Sequence, residues 1–362
     1  MDIKTNTNNY FPALTGLRAI AAYMVYFHHF NPIDKEVFGP TMFDFFSELH
    51  IGVTLFFVLS GFLITYRYYD VGKINIKRYL LNRFARIYPM YFLLTTGTFL
   101  FYAIYRAQKS FFDFKIYLLN ITLLRGFFDD FKFSGIAQGW SLTVEEVFYF
   151  SAPFLFVLIK WKKIFLFLLP VLFLSLGFIL VYSFQDFSFY GIMGTNNFML
   201  DYTFFGRCTE FVVGMGLALF IRNYASSFSI KYCTYFGIIL MILFVYFLSI
   251  LKVSTDGFGT DSTMGKIINT FLLPLFGISP LLFGLIYEKT ILSKMLESKL
   301  LQLLGKSSYV FYLVHMGIFV ILLNKISTNY FVIFIGLNLI SVLLYTYFEK
   351  PLNRFIKTRF LN

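Results

Sequence analysis

Arg18 and His29 bracket RAIAAYMVYFHHF, a stretch otherwise apolar or aromatic apart from His28. If the stretch lies in a membrane, each ionisable group costs roughly 2.5–3.5 kcal/mol and needs a partner or a watery cavity. At about 100° per residue, a helix returns from Arg18 to within roughly 20° of its starting face at His29, whereas His28 points about 80° away. Arg18 and His29 therefore line one groove about 16 Å apart along the axis, too far to pair directly. His28 reads as a packing residue. An imidazole at the far end of such a groove suits proton abstraction. The segment GWSLTVEEVFYF supplies a carboxylate to orient it: Ser141, Glu145 and Tyr149 share a helical face, with Glu146 about 100° aside. Glu145 could instead sit in an interhelical salt bridge, for instance with Arg207, whose own segment supplies Glu210. Arg83 and Arg86, one turn apart in RYLLNRFARIYPMYF, present forked donors suited to a phosphate, although a positively charged membrane flank looks the same.

The elements that must position these groups follow from composition. Hydrophobic residues make up 58% and charged residues 14% of the 362 residues, against roughly 25% charged in soluble domains. The chain reads as an all-α polytopic membrane protein, since the ~10-residue alternation of a membrane barrel is absent. Glycines, prolines and charges punctuate about ten spans, near 12–30, 49–66, 84–105, 140–159, 164–184, 203–221, 232–251, 267–287, 307–324 and 329–348. The apolar stretch 115–125 is too short to cross and reads as interfacial or re-entrant. With both termini cytoplasmic, most of the 31 lysines and arginines fall on the inner side, including Arg83 and Arg86. The net charge of +12 is then an inner-face property, which leaves no case for nucleic acid. The fourth span enters from outside and brings Trp140 and Glu145 to roughly the depth of His29. No cleavable signal peptide is expected, because the first apolar run is long and carries Arg18. Cys208 and Cys233 lack ligand spacing, so neither a disulfide framework nor a metal site is expected. One membrane domain fills residues 1–362, with no appended soluble domain.

Six motifs in order, FPALTGLRAIAAYMVYFHHF, GVTLFFVLSGFLIT, RFARIYPMYF, GWSLTVEEVFYF, LGKSSYVFYLVH and FEKPLNRF, resemble the acyltransferase 3 family of bacterial integral membrane O-acyltransferases. The resemblance runs from about residue 10 to 355. It implies acyl transfer, usually acetyl, from cytoplasmic acyl-CoA to a hydroxyl of a cell-surface or lipid-linked glycan in the bacterial cytoplasmic membrane. It assigns His29 and Glu145 to catalysis and Arg18, Arg83 and Arg86 to the CoA donor. Ser60, Trp140, Tyr309, His315 and Glu349 take substrate or supporting roles. The extracytoplasmic esterase-like domain that some members append is not expected here, so the chain would finish the transfer itself or hand the acyl group to a separate extracytoplasmic transferase.

On this reading CoA phosphates meet Arg83 and Arg86, the pantetheine arm passes Arg18, and His29, oriented by Glu145, takes the proton of the acceptor hydroxyl. An acetyl-histidine intermediate is the competing version. Ser60 in LSGF lacks a nucleophile-elbow context and reads as a hydroxyl bonded to its own helix. His29 and Asp34 have the H-x-x-x-x-D spacing of glycerolipid acyltransferases, but Pro32 interrupts the helix. A transporter or flippase for a glycan or lipid-linked precursor also needs a polar groove, and is the alternative. Specificity is expected in outer loops such as 31–48, 106–139 and 185–202, where aromatic residues around 127–133 could stack on sugars.

Overall fold

In a computed structural model of the protein, residues 10–71, 74–105, 113–187, 189–224, 231–254 and 257–361 are described. Lys4, Lys73, Arg106 and Lys109, counted above in the charge distribution, lie outside them. The long helices are α1 (Pro12–His29), α2 (Gly52–Tyr68), α3 (Ile76–Tyr105), α4 (Trp140–Trp161), α5 (Phe165–Phe184), α6 (Phe204–Tyr224), α7 (Cys233–Ile250), α8 (Thr263–Tyr287), α9 (Lys299–Val314), α10 (Ile318–Asn324) and α11 (Tyr330–Leu361). Among the described residues, eight helices are long and apolar enough to cross a membrane, nine if α9 and α10 count as one broken span. The chain is an all-helical polytopic membrane protein. Helix α1 falls short of that test because Arg18, His28 and His29 dilute its apolar content. Segment 115–125 holds a short helix, Phe114–Ile121, followed by a tight turn.

The chain divides into two compact units, residues 1–73 with 210–306 and residues 74–209 with 307–362. In the first unit, helices touch where side chains vanish. A methyl added to Gly61 would lie 2.1 Å from the Phe211 carbonyl oxygen, and one on Gly214 would lie 2.1 Å from that of Val58. Small residues at such contacts let membrane helices gain packing and backbone proximity that lipid cannot replace. Likewise Gly16 abuts the Leu296 carbonyl and Gly52 that of Ala21, which fixes α1 against its neighbours. Gly214→Ala should therefore lower stability by about 1–3 kcal/mol, as over-packing does. Gly97→Ala, where a methyl meets nothing within 4 Å, should be neutral or stabilising. Thermal unfolding of the two variants in detergent checks the contrast.

In the second unit, prolines determine where cross-helix bonds go. Pro89 in α3 and Pro153 in α4 lack an N–H, which deprives the carbonyls four residues earlier of their helical partner. Those carbonyls are met by side chains: Asn353 donates to Ala85 at 2.8 Å and the Tyr79 hydroxyl to Tyr149 at 3.0 Å. In hydrocarbon every such group must find a partner, so each proline specifies a neighbour. The span expected at 307–324 is not straight: α9 and α10 meet at 88°, with Gly317 in the left-handed region at φ +80°. The bend frees the last carbonyls of α9. Gln138 donates to Tyr312 and Leu313 at 2.9 and 2.8 Å, and His315 Nδ1 donates to Tyr312 at 2.8 Å.

Candidate active site

In the first unit, α1 carries Arg18 half-buried and His29 exposed at its C-terminal end. Their separation on one helix is the ~16 Å expected of regular geometry. The neighbouring histidine has a different position. His28 Nδ1 lies 2.5 Å from the Ser47 carbonyl oxygen, and its ring packs 5.3 Å from His50 and 5.1 Å from Phe258. A carbonyl only accepts, so Nδ1 carries the proton and the tautomer is set. His29, whose ring centroid is 4.6 Å from that of His28, is the exposed member of the two.

Glu48 and His50, beside this pair, were not singled out from sequence as site groups. Glu48 is fully buried, accepts the Gly259 N–H at 2.7 Å and lies 3.7 Å from His50 Nδ1. Sequence patterning placed Glu48 at the end of the outer loop 31–48, because nothing local signals its burial. Asp44 of the same loop pairs with Lys252 at 2.7 Å. Ser60 is half-buried inside the continuous helix α2, beside the close contact at Gly61, with no strand-to-helix turn.

The second unit gathers the other candidates. The Tyr149 hydroxyl donates to Glu145 Oε1, one turn earlier on α4, and the Arg83 guanidinium lies 5.8 Å over the Tyr149 ring. Arg83, Tyr149 and Glu145 thus form one connected group, reading outward from α3. Arg86 is engaged elsewhere: its Nη1 is 2.8 Å from Oε1 of the buried Glu349, which sits on a widened turn, Tyr345–Glu349, of α11. Tyr309 is buried and donates to the Ile87 carbonyl at 2.8 Å. Glu349, Asn353 and Tyr309 consequently all anchor α3 around its proline.

His315 is fully buried and stacks on Phe311 at 6.2 Å while donating to Tyr312, so it closes the end of α9. Trp140 packs edge-on to Tyr202 at 5.0 Å, with the Arg207 guanidinium 6.0 Å over its ring. Ser141 bonds the Tyr312 hydroxyl at 2.8 Å. Sequence reasoning left Arg125 as the last residue of the interfacial or re-entrant stretch 115–125, yet it is among the largest fully buried side chains. It donates to the Ile136 carbonyl, and a methyl on Gly139 would lie 2.3 Å from its Nη2. Burial lowers the guanidinium from its ordinary value, and the phenols of Tyr91 and Tyr312 act in the opposite direction. An arginine within LLNITLLRGFF was the available signal.

His29 and Arg18 belong to one unit; Glu145, Arg83 and Arg86 belong to the other. Among the described residues no group of three or more His, Cys, Asp or Glu is arranged to hold a metal ion.

Comparison with known proteins adds an independent line. The model of the acyltransferase domain family, Acyl_transf_3, matches residues 11–349. The peptidoglycan O-acetyltransferase OatA of Listeria monocytogenes is 29% identical over 43% of this chain and 26% of its own length. The O-acetyltransferase OatA of Staphylococcus aureus is 27% identical over 98% of this chain and 58% of its own length. The chain spans less than two thirds of the length of the curated relatives it matches, from 25% upward. No solved structure matches it.

Proposed function

Because the chain belongs to the acyltransferase domain family, we propose that it is a membrane O-acyltransferase, moving an acetyl group from cytoplasmic acetyl-CoA to a hydroxyl of a cell-envelope glycan. The observation that carries the reading is the division of labour on α1. His28 is tied to Ser47, while His29 stands exposed at the end of the face it shares with Arg18. A base must reach its substrate, and of the two only His29 is exposed.

His29 takes the proton of the acceptor hydroxyl as the oxygen attacks the thioester carbonyl. The new C–O bond forms, the C–S bond breaks, and the thiolate leaves with the proton that His29 returns. Arg83, with one flank on Tyr149 and the remainder half-exposed, takes a CoA phosphate. Arg18 steadies the donor arm. Glu145, held by the Tyr149 hydroxyl, is the second catalytic group on this reading. Arg86 shares its guanidinium between Glu349 and the donor. The relatives' printed activities support acetyl as the group, and the Listeria relative supports a peptidoglycan-type acceptor. The protein is read as one membrane domain of the bacterial cytoplasmic membrane, with both termini inside by the positive-inside rule.

The test is thiol release from acetyl-CoA by the protein reconstituted in liposomes, with peptidoglycan fragments or lipid-linked saccharides as acceptors. Acceptor-dependent release of free CoA is expected. If no thiol forms with either acceptor while lipid-linked saccharide crosses the bilayer, the chain is a flippase.

A further inference from the structure

Glu48 opens the turn Glu48–Ile51 that leads into α2, and its side chain is wholly removed from solvent. A carboxylate in such a place needs its oxygens complemented. Oε1 accepts the Gly259 N–H at 2.7 Å. That bond joins the turn to the chain between α7 and α8, where a methyl on Gly259 would lie 2.1 Å from the Leu248 carbonyl oxygen of α7. Oε2 has no hydrogen-bond donor among the described residues and lies 3.7 Å from His50 Nδ1. The charged groups around the carboxylate include Asp44, Lys252 and Asp261. Lys252 pairs with Asp44 at 2.7 Å, and Asp261 accepts the Phe258 N–H at 2.7 Å.

The imidazole that Oε2 faces belongs to a cluster. The His50 ring lies 5.3 Å from that of His28, whose ring lies 4.6 Å from that of His29. Phe258 packs 5.7 Å from His50 and 5.1 Å from His28. All of these residues belong, with Glu48, to the first unit. One carboxylate thus meets the cluster twice: Oε1 holds the turn that follows Phe258, and Oε2 faces His50. A carboxylate opposite Nδ1 favours the proton on that nitrogen, because a bare Nδ1 would turn its lone pair toward the anion. Its charge also favours a proton arriving elsewhere in the cluster, since charges interact several times more strongly through protein than through water.

We propose that Glu48 is a positioning residue for acyl transfer, acting through His50: it fixes the His50 proton on Nδ1 and supplies negative charge to the cluster as His29 takes the acceptor's proton. Its part in transfer rests on the acyltransferase reading, in which His29 is the base. The proton passes from the acceptor hydroxyl to His29 and on to the leaving thiolate, so Glu48 neither gains nor loses one.

The test reads 15N-imidazole spectra of the protein in phosphatidylcholine nanodiscs at about pH 8.5, with the four histidines assigned by single substitutions. A protonated Nδ1 is expected at His50. Glu48→Gln is nearly isosteric: its amide oxygen keeps the Gly259 N–H, and its NH2 group turns to His50, whose Nδ1 must then accept. The His50 proton should therefore move to Nε2 in that variant. Per folded molecule, its kcat for acceptor-dependent CoA release should fall at least fivefold, with KM for acetyl-CoA within twofold of the parent. If Glu48→Gln does not fold, His50→Gln serves for kcat, with the same fall expected. A bare Nδ1 in the parent overturns the proposal, as does an Nδ1 proton that survives Glu48→Gln or a smaller fall in kcat. No CoA release from a parent with protonated Nδ1 fails the acyltransferase reading and leaves the pairing of Glu48 with His50 standing. Release from a parent with bare Nδ1 fails the pairing and leaves that reading standing.

Discussion

His29→Ala should cut acceptor-dependent CoA release by about 10²–10⁴-fold, the usual contribution of a positioned general base. It should leave thermal unfolding nearly unchanged, because the side chain is exposed at a helix end. His28→Ala should do the reverse. Its ring holds the Ser47 carbonyl and packs on His50 and Phe258, so its loss removes a hydrogen bond worth about 1 kcal/mol and leaves a part-buried carbonyl without its donor. Activity per folded molecule should stay within a few-fold of the parent. The pair of variants separates a catalytic from a structural histidine because each is read by two measurements, turnover and unfolding temperature. Retained turnover in His29→Ala with lost turnover in folded His28→Ala would move the base to His28. His29→Gln is a further control: it keeps the polarity at that position and should be as inactive as alanine.

The different settings of His28 and His29 were legible in the sequence because helical phase is a local property: residues 18, 28 and 29 lie on one uninterrupted helix. The same holds for Glu145 and Tyr149, whose spacing put them on one face and whose side chains bond there. Local apolar runs likewise foretold α5 and α7. What sequence did not disclose depends on distant partners. The Arg86–Glu349 pair joins residues 263 apart in sequence, and the Asn353 bond to Ala85 joins residues 268 apart. Pro89 announced that a carbonyl would be freed, without saying which side chain would meet it. The break at His315–Gly317 lies in a run whose hydropathy continues across it, so only the backbone geometry reveals the 88° turn. Arg125, at the end of the short apolar stretch 115–125, gives no local sign of what buries it, because Ile136 and Gly139, which meet it, lie beyond that stretch.

Arg83 and Arg86 look equivalent in sequence and should separate sharply on mutation. Arg86→Ala leaves Glu349, only 3% exposed, without the guanidinium at 2.8 Å. Removing one partner of a buried pair typically costs about 3–5 kcal/mol, because the remaining charge stays desolvated. A large fall in unfolding temperature is therefore expected from Arg86→Ala whatever its role toward the donor. Replacing both partners, as in Arg86→Met with Glu349→Leu, removes the stranded charge and should recover most of the stability. Arg83→Ala loses a contact over the Tyr149 ring worth about 0.5–1 kcal/mol, so its stability should barely change. If Arg83 binds a CoA phosphate, the lost charge-assisted bond is worth about 1.5–3 kcal/mol, which is roughly a tenfold to 150-fold rise in KM for acetyl-CoA. The folded double variant then isolates the second arginine: a KM near the parent value makes Arg86 a pure anchor of α3. A rise matching that of Arg83→Ala would mean that both arginines grip the donor. An unchanged KM in Arg83→Ala would remove the donor role from Arg83, and with it the assignment of that end of α3 to CoA.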